Sequence, residues 1–251
     1  MKIINSVLTR LAGTITHVRT EQNVIALTFD DGPHPQYTPQ LLDVLDAHGA
    51  KGTFFVLGDQ VARHGGIVRR MLASGHAVGC HSYDHPSFPT VSSAERRSQI
   101  RRWEQAMIKY AQWPAHPKIF RPPFGHQTWR SYFDARRLGY QVVTWRCLAE
   151  DWLDNDAQWL SDKLLKAIKP GHIVLLHDNL YNLLNPRYAD RGPTLTCVDE
   201  LLKQLGKTFQ FVTVPQLLKY GRVKRTLYLR RPDAAFLARL QRADVGMDTP
   251  V

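Results

Sequence analysis

Cysteine is scarce: Cys80, Cys147 and Cys197 are the only three in 251 residues. They are too few and too scattered for a disulfide framework, and an odd number leaves one unpaired in any scheme. Buried thiols acting as small hydrophobes in a reducing compartment are the expectation. Long apolar runs are missing as well. Residues 1–20 hold no stretch like a signal-peptide core, and no later run approaches the roughly 20 apolar residues that span a bilayer. The chain is therefore expected to be soluble and cytoplasmic. Repeats, low-complexity tracts and linkers are absent, which leaves one large α/β domain, big enough to build its core without covalent staples.

What is present alternates. From Val24 onward, short β-rich runs at 24–29, 51–56, 76–80, 118–120, 141–145, 173–176 and 209–214 are separated by segments with helical spacing, the pattern of βα units around a parallel sheet. Helix ends are marked by Pro39 in a first turn, by Gly49 and Gly75 past last turns, and by Ser92-x-x-Glu95 as a capping box. Ile100, Trp103, Met107 and Ile108 make one apolar stripe. Trp159, Leu164, Leu165 and Ile168, then Val198, Leu201, Leu202 and Leu205, repeat it; each is read as core.

Acidic residues are the scarcer charge, 22 against 33 basic, for a formal net charge of +11. A field of that sign favours anionic partners. The excess gathers late, in Lys219, Arg222, Lys224, Arg225, Arg230 and Arg231, followed by Arg239 and Arg242. Residues 221–251 thus read as a basic extension, either solvated or in peripheral contact with anionic lipid at the inner membrane face or with a phosphate-bearing substrate. Nucleic acid is not expected, since no recognition motif accompanies the charge. At the other end, Ile4, Val7, Leu8, Leu11 and Ile15 share a helical face, so residues 1–20 read as an amphipathic extension that packs on the domain or lies on a membrane. The domain proper is then 21–220.

The chemistry-bearing residues follow the strands. Thr28-Phe29-Asp30-Asp31-Gly32-Pro33 ends the first strand in two adjacent carboxylates, which repel unless a cation or a proton intervenes. Alone, that run is more often an ordinary turn. The third strand leads to His81-Ser82-Tyr83-Asp84-His85, two imidazoles spaced so that both can reach one ion. With Asp31 they offer three protein ligands and open positions, which is a catalytic rather than a closed structural set. Arg121-Pro122-Pro123-Phe124-Gly125 follows the fourth strand: a guanidinium that can hold a carboxylate, and a stiffened turn whose Phe124 amide can face an oxyanion. Glu150-Asp151-Trp152 and Leu175-Leu176-His177-Asp178 follow the next two strands. His177 at a strand end can protonate a leaving amine, with a carboxylate to orient it. Trp152, Phe88 and Trp129 serve either as core or as platforms for a sugar ring. Asp30, Asp31, His81, Arg121, Asp151 and His177 all fall at C-terminal strand ends, where parallel barrels place active sites.

With these motifs in order, the chain from about Val24 to Val214 resembles the polysaccharide deacetylases that carry the NodB homology domain, carbohydrate esterase family 4. The resemblance implies a distorted (β/α)7-type barrel and a hydrolase that removes N-acetyl groups from an amino sugar in an oligosaccharide, polysaccharide or lipid-linked glycan. It implies that Asp31, His81 and His85 bind a divalent metal, usually Zn2+ and sometimes Co2+ or Ni2+. It makes Asp30 the general base for the attacking water, Arg121 its tether, His177 the general acid and Asp151 the residue that orients it. Phe124 would help stabilise the oxyanion, and Trp152 and Leu175 would line the acetyl pocket. Two departures stand out: Phe124 occupies a position where the family usually has Tyr, and the fourth motif matches only at Asp151-Trp152. An amidohydrolase or O-acetyl esterase acting on another substrate is the alternative for the same scaffold.

Overall fold

A strand that is apolar at nearly every position must be covered on both faces, and Val24-Ile-Ala-Leu-Thr-Phe-Asp30 is buried along its whole length. It sits at the centre of the computed structural model, which describes residues 13–113, 118–153, 156–183 and 186–238. In chain order the elements are β1 (Thr14–Arg19), β2 (Val24–Asp30), α1 (Tyr37–Ala47), β3 (Thr53–Val56), α2 (Gly58–Ala73), β4 (Ala77–Cys80) and α3 (Ser93–Ala106). They continue with β5 (Ile119–Phe120), α4 (Trp129–Arg137), β6 (Gln141–Val142), β7 (Cys147–Leu148), α5 (Ala157–Ala167) and β8 (Ile173–His177). The last are α6 (Gly192–Leu205), β9 (Gln210–Phe211), the short α7 (Val214–Leu217) and β10 (Arg222–Thr226).

The main sheet runs β6-β5-β4-β3-β2-β8-β7, with β9 also on β2, and its pairings are parallel throughout. It curls into a distorted barrel with two cores. Alternation along β2 sends Ile25, Leu27 and Phe29 outward to the helices and Val24 and Ala26 inward. Phe55, Ile119 and Ile173 fill the interior with them. Thr28 and Asp30 continue the inward column toward the C-terminal end, where apolar filling gives way to polar groups.

Space decides one interior position. Gly79 of β4 lies opposite Phe55 of β3, and a Cβ there would meet the Phe55 ring at 2.7 Å. The Arg121 guanidinium stacks over that ring, 4.0 Å from its centroid.

Several sequence expectations need correction. The run 141–145 holds only β6, because the Thr144 amide turns to Ile15 O (2.8 Å); β7 starts beyond the run, after the Arg146 amide has bonded to Ile173 O (2.9 Å). The run 209–214 holds only β9, since Thr213 caps α7 by accepting from the Gln216 amide while Gln216 Oε1 accepts from Thr213 N. The expected box at α3 is half formed. Ser92 accepts from Glu95 N at 3.1 Å, but the Glu95 carboxylate turns to Gln99. Ile108 is 65 % exposed, because a π-helical turn over Met107–Ala111 breaks the stripe begun by Ile100 and Trp103. Trp159 is 43 % exposed, with Lys163 over its ring.

The two expected extensions are corrected as well. Ile15 does not lie on a helix: it belongs to β1, which pairs antiparallel with β10, and Ile15 and Val18 are wholly buried in the interior core. β1 also bonds beyond β6 through Thr144 and ahead of β8 through the Val18 amide to Gly171 O (2.9 Å), lying along the open side of the sheet. The basic residues Arg222, Lys224 and Arg225 are thus part of the fold, in β10. Residues 1–12 and 239–251, with Ile4, Val7, Leu8, Leu11, Arg239 and Arg242, lie outside the described residues. All three cysteines are free and buried. Among the described residues no helix is long and apolar enough to cross a membrane.

Gly79→Ala is expected to destabilise the chain by about 1–3 kcal/mol, read as a lower urea midpoint at unchanged m-value, because the new methyl overpacks the Phe55 ring.

Candidate active site

The end of the barrel at which the strands finish is backbone-strained. Among the described residues six non-glycine residues have positive φ, and five of them, Asp31, Ser82, His85, Phe124 and Glu150, follow β2, β4, β5 and β7; Gln112 is the sixth. Clustered strain of this kind marks segments held for function rather than for local comfort.

Asp31, His81 and His85 are all buried, and one potential ligand atom from each lies within 4.8 Å of the others. Their hydrogen bonds decide which atoms remain available. His81 Nδ1 lies 2.8 Å from the carbonyl of Arg121, which can only accept, so this nitrogen carries the hydrogen. His85 Nδ1 likewise faces Asn182 Oδ1 at 2.5 Å. Both Nε2 lone pairs then point at Asp31 Oδ1, 3.3 and 3.2 Å away. That oxygen is buried without a hydrogen-bond partner, whereas Oδ2 accepts from the Tyr181 amide at 3.0 Å. Three converging lone pairs on buried atoms require a cation or a proton. Imidazole tautomers fixed from behind are how proteins present metal ligands, and the set fits a divalent ion. A proton competes for the same place. Burial works against charging His85, but the charge of Asp31 and its hydrogen bond outweigh this and raise the imidazole above its ordinary value.

The second group is built by strand register. Asp30 on β2 pairs with His177 on β8, so their side chains emerge side by side into the barrel mouth. Asp30 Oδ1 accepts from Arg121 Nη1 at 2.7 Å, and the same nitrogen donates to Thr28 Oγ1 at 2.8 Å. Nη2 is spent on the Thr144 carbonyl at 3.1 Å, so the guanidinium holds Asp30 by one prong. His177 Nδ1 lies 2.9 Å from Asp151 Oδ1, while Asp151 Oδ2 accepts from the His177 amide at 2.9 Å. Asp151 is in turn held by Arg191, which donates to its carbonyl (2.9 Å) and sits 3.5 Å from Oδ2. Burial alone would lower the His177 imidazole; the charge and hydrogen bond of Asp151, aided by Asp31 and Asp30, push it up to about 9.

Asp30, Asp31, His81, His85 and His177 border one cavity of about 220 Å³, with Phe124, Trp152 and Leu175 on its wall. The ring of Trp152 meets that of His177 edge-on at 5.3 Å, and Phe124 lies 4.3 Å from His85. Of the site residues expected from the sequence, Arg121 and Asp151 stand behind the cavity, bonded to Asp30 and His177, and the others line it. Phe88 does not: it is fully buried and stacks on Phe120. Trp129 borders a different groove. Residues that sequence reasoning missed include Thr28, Asn182 and Arg191, together with His126, Trp145, Arg230 and Phe236 on the cavity wall. Only Arg191 left a signal, as a charged residue just before an apolar helix.

A curled parallel sheet with a His-His-Asp cluster beside a carboxylate and an imidazole at its C-terminal end defines a barrel hydrolase. The model of the family described as polysaccharide deacetylase matches residues 17–143. A peptidoglycan-N-acetylglucosamine deacetylase of Bacillus cereus is 34% identical over 206 residues, which cover 81% of this chain and 92% of that protein. The peptidoglycan-N-acetylglucosamine deacetylase PgdA of Listeria monocytogenes is 38% identical over 197 residues, 78% of this chain but 39% of that longer protein. The solved structure of the Bc1960 peptidoglycan N-acetylglucosamine deacetylase, in complex with 4-naphthalen-1-yl-N-oxidanyl-benzamide, matches with TM-score 0.76 at 29% identity, over 90% of this chain and 99% of that one. The chain belongs to the polysaccharide deacetylase family.

In chelator-treated protein, the His177 imidazole is expected to titrate near pH 9 by NMR, and Asp151→Asn to bring it back toward the ordinary 6.5. A folded-state value above the unfolded one stabilises the fold fully below about pH 6.5, and that contribution is lost as pH rises through about 9. The thermal midpoint of the parent should therefore fall across that window more steeply than that of Asp151→Asn.

Proposed function

We propose that this chain hydrolyses the N-acetyl group of an amino sugar within a glycan, with Asp31, His81 and His85 holding a zinc ion, Asp30 as general base and His177 as general acid. The observation that carries the reading is the register of β2 and β8, which sets Asp30 beside His177 at the mouth that also holds the His-His-Asp cluster. Two imidazoles and one carboxylate suit zinc, and cobalt or nickel accept the same donors. The substrate class follows the relatives, whose names specify N-acetylglucosamine in peptidoglycan.

A divalent cation bound there supplies Lewis-acid polarisation of the amide carbonyl and lowers the pKa of a neighbouring water. The remaining chemistry belongs to the side chains. Asp30 takes the proton of the attacking water, and its carboxylate cannot swing away because Arg121 is itself pinned by Thr28, Thr144 and the Phe55 ring. The new C–O bond forms, and the main-chain N–H of Phe124 faces the oxyanion. With Nδ1 committed to Asp151, His177 carries its exchangeable proton on Nε2 and gives it to the departing nitrogen as the C–N bond breaks. A value of about 9 keeps that proton in place at neutral pH. The products are acetate and the free amino sugar. Trp152 and Leu175 supply the apolar wall for the acetyl methyl.

Acetate release is the test, on a panel from chito-oligosaccharides to lipid-linked N-acetyl sugars. Asp30→Asn is expected to lose about 10²- to 10⁴-fold in kcat while retaining the metal. His81→Ala should lose metal and activity together, and chelation should abolish release until zinc is returned. Release that persists unchanged in Asp30→Asn, or after metal removal, would overturn the mechanism.

A further inference from the structure

The basic residues near the end of the chain, read from sequence as an extension, come back to the cavity. Arg230, Asp233 and Phe236 border the same space as Asp30, Asp31 and His177. We propose that residues 227–238 form a recognition wall for the substrate, in which the Arg230 guanidinium binds an anionic substituent, a carboxylate or a phosphate, carried by the glycan close to the scissile N-acetyl group. The proposal rests on the deacetylase reading above and narrows its substrate class.

Three observations support it. The wall is fixed to catalytic structure. Arg230 and Gln127 exchange backbone hydrogen bonds of 2.7 and 3.0 Å as an isolated antiparallel bridge, and Gln127 lies two residues beyond the turn that presents Phe124. The Gln127 side chain adds donations to the Tyr228 carbonyl at 2.6 Å and to Thr14 Oγ1 at 2.8 Å. The Phe236 ring packs 4.8 Å from Phe124 and 4.7 Å from His126, joining the wall to the ring that touches His85. A side chain on such a mount presents its head group from a settled position.

The second observation concerns charge. Of the other charged groups on the cavity wall, Asp30 is tied to Arg121, Asp31 belongs to the His-His-Asp cluster, and His177 is paired with Asp151. Asp233 Oδ1 accepts from the Phe236 amide at 2.8 Å. Arg230 is exposed and makes no ion pair with any described residue. Its field is nonetheless felt in the cavity: burial first, and then the charge of Arg230, hold the His126 imidazole down at about 4, so that ring is neutral. A pinned backbone with an uncommitted guanidinium beside a substrate cavity suits a planar or tetrahedral oxyanion, for which the fork geometry of Arg is made.

The third is what surrounds it. Phe236 and Trp145 stand on the same wall, giving apolar faces next to the cation, a combination suited to a sugar ring that carries a charge.

The test compares kcat/KM of the parent, Arg230→Gln and Arg230→Lys on three N-acetylated substrates. One is a neutral chito-oligosaccharide, one a glycan strand bearing carboxylates, and one an N-acetylglucosaminyl phosphate glycan. In Arg230→Gln the ratio of anionic to neutral kcat/KM is expected to fall about 10- to 100-fold, mainly through KM, with Arg230→Lys in between. Whichever anionic substrate shows the loss identifies carboxylate or phosphate as the group read. Added salt should raise KM for that substrate and not for the neutral one. A ratio unchanged within twofold, or an equal loss on all three substrates, overturns the proposal. Binding of the same glycans, measured calorimetrically in Asp30→Asn with and without Arg230→Gln, keeps the two readings apart. If no substrate releases acetate, the deacetylase reading fails, while a binding preference for the anionic glycan that vanishes with Arg230→Gln still upholds the role of Arg230, and its absence refutes it.

Discussion

Negative charge buried at one end of a barrel has to be answered, and much of this structure is the answer. Asp30, Asp31, Asp151 and Asp178 are each no more than 5% exposed, and each is compensated differently. Asp30 has Arg121, Asp151 has Arg191 and His177, and Asp31 has two imidazoles and the place for a cation between them. Asp178 has no cation among its partners. Burial, with Asp31 and Asp30 nearby, raises its carboxyl to about 7 against the pull of a hydrogen bond from Thr38, so a proton shares the compensation there. Compensation reaches deep into the fold, because Arg121 can lie inside the barrel only where Phe55 offers its face, and Phe55 fits only because Gly79 has no side chain.

That dependence explains what could be read from the sequence and what could not. The strands of the barrel announced themselves because a strand covered on both faces must be apolar throughout, as β2 is. The site residues were legible because they follow those strands directly, and Asp30-Asp31, an ordinary turn if taken alone, gained meaning from His81 and His85 at the same strand ends. The supporting residues were not. Thr28 and Asn182 are ordinary polar residues whose roles arise from what the fold brings opposite them, Val174 and Arg121 in one case and His85 in the other. Ile108 and Trp159 misled because periodicity assumes an uninterrupted α-helix or a covered face, and a π-turn or solvent can remove either.

The ends of the chain were the largest misreading, and the reason is local. Thr14–Arg19 falls within a segment with helical apolar spacing and Arg222–Thr226 within a basic run, and the two form strands by pairing with each other. No window of sequence contains both partners. The same holds for Arg230, whose charge looks like part of a basic cluster until its backbone is seen bridged to Gln127 beside the site.

Pairing between such distant segments also orders events in time. Thr16 and Lys224 share a hydrogen bond although 208 positions separate them. During synthesis, β1 must wait for nearly the entire domain before its partner leaves the ribosome, and closing so long a loop is rewarded only late in folding. The segment beside the cavity follows β10 directly, so its bridge to Gln127 depends on the same late closure.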